Sequence, residues 1–239
     1  MKDDAYREMR YDLALGIEAD GAFLTADSDH PLVIERQGRN GPERGFMLRL
    51  HQEDPNAPLQ PFYFNLRTPD NPKPGPLTPG TIYLATDCMR EIVVRKKLEF
   101  DAVAGVPDAG KRFAKALAVL VNKPCLEMEK WEHGGKRHIA QLKGPIDVSI
   151  KKVLYVDDVI MRATSKIEAI NIGRDAGLEI TDVMVVIDYE QGGRDSLAAL
   201  GCNLHSVFAV IELLKLYAEL GKISPQLNQD IQKYLASQV

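Results

Sequence analysis

Cysteine is scarce: Cys88, Cys125 and Cys202 are the only three in 239 residues, odd in number and scattered. A disulfide framework is excluded, a zinc site is disfavoured, and a reducing, cytoplasmic setting is expected. No apolar run approaches the ~20 residues that span a bilayer as a helix, so no membrane partner is expected. MKDDAYREMR lacks the apolar core of a signal peptide. Positive charge is not in excess either. Thirty Lys and Arg stand against 34 Asp and Glu, a formal charge of −4, which gives no footprint for nucleic acid. Internal repeats and low-complexity tracts are also missing. What is present is ordinary for a globular chain, 45% hydrophobic and 27% charged. The length fits one domain with an elaboration, or a domain plus a small hood.

The N-terminal third is weakly patterned. A short helix is expected over Asp4 to Ile17, then short strands split by Gly, Pro and Asn turns up to about residue 49. Eight prolines fall between Pro55 and Pro79. Each removes an amide donor and fixes φ, so this stretch reads as extended loop around a short PFYFNL strand. The rhythm changes near residue 80, which suggests an N-terminal extension and hood over 1–80 and a core over 81–239. A helical stretch to about Lys97 precedes FDAVAGVPDAG, an apolar strand running into a glycine turn. KRFAKALAVLV follows at helical spacing. Next come the strand KKVLYVDD, a helix over roughly Ser165 to Asp175, the strand DVMVVID, and SVFAVIELLKLYAELG, read as an amphipathic helix. Strands alternating with helices imply an α/β fold with a parallel sheet, whose ligands sit at the carboxyl ends of the strands. That places Gly105 to Gly110 and Asp157 to Ser165 on the functional rim.

Several segments together resemble the orotate phosphoribosyltransferases, including the domain joined to the decarboxylase in UMP synthase. FDAVAGVPDAG is similar to that family's strand and glycine loop, and VLYVDDVI to the start of its phosphoribosyl pyrophosphate motif. VVIDYEQGGRDSLAALGCNLHSVFAVIELL matches best, with EQGG and LHSV in order. The resemblance runs from about Tyr83 to Leu220. It implies a type I phosphoribosyltransferase fold, a parallel sheet flanked by helices, with the N-terminal extension as a hood and usually a homodimer. It further implies transfer of phosphoribosyl from phosphoribosyl pyrophosphate to a nucleobase, orotate or another, with release of pyrophosphate. Magnesium would enter with the pyrophosphate substrate, and no resident metal site is expected.

The chemistry gives each residue a reason. Asp157 and Asp158 suit the two ribose hydroxyls, which donate charge-assisted hydrogen bonds to carboxylates, and they can steady positive charge developing on the ribose. The turn after them, opening a helix, suits the 5′-phosphate through backbone amides. Thr164 and Ser165 keep hydroxyls there, but Met161 stands where the family has a hydroxyl residue and Ala163 where it has glycine. Arg162 is either a charged fork for phosphate or a solvated surface arginine.

CLEMEKWEHGG lies where the family has its mobile cationic loop. Glu129, His133 and Gly134 match, whereas Glu127 replaces an arginine, and Met128 and Trp131 replace lysines. His133 is the catalytic candidate of this loop. Lys136 and Arg137 either supply its cations from a shifted register or balance nearby glutamates on a surface turn. Tyr189 stands where an arginine would meet the orotate carboxylate, so it is expected at the base and favours a less charged acceptor. His205 is expected at a strand end. Two functions are carried forward: an altered phosphoribosyltransferase, and a protein of that fold that binds a nucleotide or sugar phosphate without turnover, as sensor or scaffold.

Overall fold

The computed structural model describes residues 2–38, 41–48, 51, 54–133 and 136–237; the side chains of residues 2 and 131–141 lie outside the description. Two compact units emerge, interleaved in chain order. One comprises Met1–Asp20 with Leu66–Val210, the other Gly21–Asn65 with Ile211–Val239.

The larger unit is built on five parallel strands: β5 (Ala102–Gly105), β6 (Cys125–Leu126), β9 (Lys152–Ile160), β10 (Glu179–Asp188) and β11 (Asn203–Ala209). β9 and β10 are buried along nearly their whole length, as expected of a parallel sheet covered on both faces. Between the strands run α2 (Pro79–Lys96), α3 (Gly110–Leu120), α4 (Thr164–Asp175) and α5 (Gly193–Ala198); α1 (Lys2–Ala19) precedes them. The expected parallel sheet flanked by helices is therefore present. Taken in chain order, the sheet strands are arranged 2-1-3-4-5, so the order reverses between β5 and β9. In open α/β sheets that reversal opens a crevice at the carboxyl ends of the two strands, where ligands bind. Gly105 pairs with Val156 at this point, and Asp157 is the next residue of β9.

Local chemistry explains the element ends. Thr78 caps α2 by accepting from Thr81 N, and Pro79 begins the helix where no amide donor is needed. α4 begins after Ala163, which holds a left-handed conformation with φ 63° and makes no side-chain cap.

One expectation is corrected. SVFAVIELLKLYAELG is not one helix: Ser206 to Ala209 extend β11, and α6 (Val210–Glu219) starts only at Val210. Val185 and Ile187 of β10 pair with Ser206 and Phe208, and this pairing draws the segment into the sheet although its apolar spacing suits a helix. The stretch aligned with a mobile loop forms an antiparallel ladder, β7 (Met128–His133) with β8 (Lys136–Leu142), irregular between Glu129 and Lys130.

In the smaller unit, β1 (Phe23–Thr25) pairs antiparallel with β4 (Phe62–Phe64), and β2 (Val33–Gly38) with β3 (Gly41–Phe46). Its core is aromatic. Phe23 stacks on Phe64 and Tyr217, and Phe62 meets Tyr234 of α7 (Pro225–Ala236) edge-on. The buried Gln60 is satisfied there, donating to Phe62 O at 2.8 Å and accepting from Tyr234 Oη at 3.2 Å.

Candidate active site

The crevice between β5 and β9 is shaped by glycines before any charge acts. A Cβ on Gly105 would lie 2.7 Å from Gly110 O, and one on Gly110 would collide with Val156 O and come within 2.9 Å of Asp157 Cα. These two positions therefore let the Val106–Ala109 turn and the start of α3 close onto Asp157. A cis peptide joins Pro107 to Asp108 in that turn.

Asp157 and Asp158 are both buried, 4% and 8% exposed, but their partners differ. Asp157 Oδ2 is 2.5 Å from Lys166 Nζ, and its Oδ1 accepts from Asp158 N at 2.9 Å. Asp158 Oδ1 accepts from Val159 N at 2.7 Å, while its second oxygen has no partner among the described residues. Burial pushes the Asp157 carboxyl up to about 7, against the Lys166 cation and with the Asp158 charge. Lys166, in the first turn of α4, is itself only 6% exposed and also donates to Val159 O at 2.5 Å. Sequence reading missed this lysine. Its signal was a long cation in the first turn of a helix, where the dipole disfavours positive charge.

Above the pair, the Met161–Ala163 turn leads into α4. Arg162 and Thr164 are exposed, Ser165 half-buried and Ala163 buried. The EQGG segment braces this turn from β10. Gly192 takes φ 83°, and a Cβ on Gly193 would run into Met161 O and lie 2.7 Å from Ile160 Cγ1. Asp188 holds the same segment, accepting from Glu190 N at 2.9 Å and from Arg194 at 2.9 Å. Tyr189 is 1% exposed, and its amide extends the ladder to Ile160 O. Gln191 beside it has a buried Nε2 with no hydrogen-bond partner among the described residues.

On the other side of the crevice, Lys130 Nζ lies 3.4 Å from Asp108 Oδ2, and Asn71 of the proline-rich stretch donates to Asp108 O at 3.3 Å. Arg112 pairs with Asp70 of the same stretch. Glu127, which replaces an arginine of the family, is matched by Lys115 at 2.8 Å, and Glu129, which the family shares, by Lys143 at 2.9 Å. The hydrogen bond from Lys115 holds the Glu127 carboxyl below its ordinary value. The side chains of His133, Lys136 and Arg137 lie outside the described residues; in the backbone His133 faces Lys136 across the ladder. His205 stands apart, at the amino end of the sheet, bonded to Asp182.

No model of a known protein family matches the chain. Individual proteins do. An orotate phosphoribosyltransferase of Sulfolobus acidocaldarius is 29% identical over 76% of this chain and 86% of its own length. That of Pyrococcus furiosus is 32% identical over 57% of this chain and 74% of its own. The chain belongs to the orotate phosphoribosyltransferase family. Among solved structures, the UMP synthase of Leishmania donovani superposes with a TM-score of 0.68, covering 95% of this chain and 42% of the longer one, at 22% identity. At that identity the likeness speaks for the fold, the type I phosphoribosyltransferase fold. The strand reversal, the acid pair and the helix-opening turn of this family member thus share one crevice. Among the described residues no helix is long and apolar enough to cross a membrane.

Proposed function

We propose that the protein transfers the phosphoribosyl group of phosphoribosyl pyrophosphate to a nucleobase, orotate or another base, and releases pyrophosphate. The observation that carries this reading is the Asp158 oxygen without a partner among the described residues, at the strand reversal and directly before a turn that opens α4. A ribose hydroxyl donating to Asp158 would place the 5′-phosphate over Thr164 and Ser165, whose amides and hydroxyls suit an anion. Arg162, exposed on the turn, adds a fork for the same phosphate. Asp157 supports the pair from beneath.

In the transfer, the bond from C1′ to the pyrophosphate oxygen breaks as the base nitrogen bonds to C1′, and positive charge gathers on the ring. The Asp158 carboxylate steadies that charge. The leaving pyrophosphate needs cations. Lys130, beside Asp108, is one, and His133, Lys136 and Arg137 of the ladder complete the proposed set. Among the described residues no cluster of three or more His, Cys, Asp or Glu is placed to hold a metal. Magnesium would arrive with the donor, bound chiefly through the substrate phosphates and one or two carboxylates. At the base, buried Tyr189 contributes bulk, while the unpaired amide of Gln191 offers a donor for a ring carbonyl. An uncharged pyrimidine suits this better than a carboxylate. We infer a cytoplasmic homodimer on the same family grounds.

A second reading, donor binding without turnover, is favoured by the ion pair that occupies Asp157 and by the Met161–Ala163 turn. Pyrophosphate release from magnesium phosphoribosyl pyrophosphate, with orotate and then a panel of other bases, separates the two. Base-dependent release is expected. Donor binding with silence across the whole panel overturns transfer in favour of the second reading, and absence of donor binding overturns both.

A further inference from the structure

The two carboxylates of the acid pair are not equivalent, and the reason is Lys166. Its ammonium is buried, contacts Asp157 Oδ2 and Val159 O at 2.5 Å each, and so ties the first turn of α4 back to the end of β9. With Asp158 N on Oδ1, both oxygens of Asp157 are satisfied from within the protein. Gly110 of α3 also approaches Asp157, since a Cβ there would sit 3.0 Å from Oδ1, and it carries no charge. The charged groups facing Asp157 are therefore Lys166 from α4 and Asp158 from its own strand. A buried ion pair whose remaining lone pairs are hydrogen-bonded is costly to open, because breaking it strands a charge away from water. A ribose hydroxyl could reach Asp157 only by displacing the ammonium.

We propose that Lys166 is a positioning residue that withdraws Asp157 from ligand contact and leaves Asp158 as the single carboxylate presented to the donor's ribose. This rests on the reading that the crevice binds phosphoribosyl pyrophosphate, and it divides the labour within that site. Asp157 and Lys166 form an internal brace under the turn. Asp158 does the binding.

The consequence is counter-intuitive for a pair of adjacent aspartates. Replacing Asp157 and Lys166 together by uncharged residues of similar size should be tolerated, whereas replacing Asp158 alone should not. The experiment compares wild type, D158N, K166M and the D157N/K166M double variant by calorimetric titration with magnesium phosphoribosyl pyrophosphate, after circular dichroism has established that each is folded. The double variant is expected to bind within about threefold of wild type, and D158N at least 30-fold more weakly. A loss in the folded double variant as large as that in D158N overturns the proposal, because both carboxylates would then touch the donor.

A donor-free readout tests the pairing itself. Carboxyl carbon shifts of Asp157, followed by NMR from pH 5 to 9, should show a higher titration midpoint in K166M than in wild type. An unchanged midpoint overturns the brace. If wild type binds no donor, the functional reading fails, and the proposed presentation of Asp158 fails with it; the midpoint still decides the pairing separately.

Discussion

Ala163 and Gly193 occupy two sides of one turn under opposite constraints. Ala163 adopts φ 63°, a conformation that costs an L side chain about 1–2 kcal/mol, yet its methyl is buried and returns part of that cost. Gly193 has no such freedom, because its hydrogen faces the carbonyl of Met161 and the side chain of Ile160. Gly193→Ala should therefore destabilise the protein by roughly 1–3 kcal/mol through overpacking, read as a lowered denaturant midpoint with an unchanged slope. It should also weaken donor binding, since the obstructed atom belongs to the turn proposed to meet the 5′-phosphate. The sequence offers the EQGG glycines as turn formers, and Gly192 with φ 83° is one, but the atom that Gly193 spares is not legible there. Which backbone atom a glycine spares depends on a strand more than thirty residues earlier. Tyr189 stands where the family has an arginine at the base, and what the sequence could not show is that the fold buries it.

Among the elements, α2 is the one whose start was best written locally. Thr78, Pro79 and Thr81 lie in the order a capped helix requires, and the structure starts the helix there. Thr78 also receives support from afar, as its amide donates to Asp20 at 2.8 Å. Thr78→Ala removes only the side-chain acceptor and should cost about 1 kcal/mol. Calorimetric melting checks this, and a melting temperature equal to wild type would show that Asp20 and Pro79 suffice. β11 shows the opposite case. Its apolar spacing suited a helix, and pairing with β10 made it a strand. Long-range hydrogen bonding outweighs a local preference worth tenths of a kcal/mol per residue.

For the molecule as a whole, pH is the informative variable. Lys96 Nζ lies 3.2 Å from His205 Nδ1, and an ammonium can only donate, so Nδ1 accepts and Nε2–H donates to Asp182 at 2.8 Å. Burial holds this imidazole below its ordinary value; the Asp182 hydrogen bond opposes that shift and the Lys96 charge adds to it. The unfolded chain therefore gains a proton near pH 6.5 that the folded chain refuses, and the His205 contribution falls as pH drops below about 6.5. Asp157 acts with the other sign. Its carboxyl, raised to about 7, keeps a proton that the unfolded chain has released, so its contribution falls as pH rises from about 4 toward 7. Because the two oppose, the test is a difference. His205→Gln should be less stable than wild type at pH 7.5, and the gap should narrow by pH 5 in urea denaturation. A constant gap would mean that His205 does not titrate in this window.

The alternation of strands and helices, the acid pair at the end of one strand and the glycine turns around it are legible in the chain alone. These follow from periodic burial and backbone sterics, which act over a few residues. Tertiary contacts determine that Asp157 faces Lys166 while one oxygen of Asp158 has no partner among the described residues, that Lys130 and Asn71 meet Asp108, and that Glu127 and Glu129 are matched by Lys115 and Lys143. A charge found by sequence has no fixed meaning until the fold supplies its partner and its dielectric, and both come from residues distant in the chain or from the burial that packing creates.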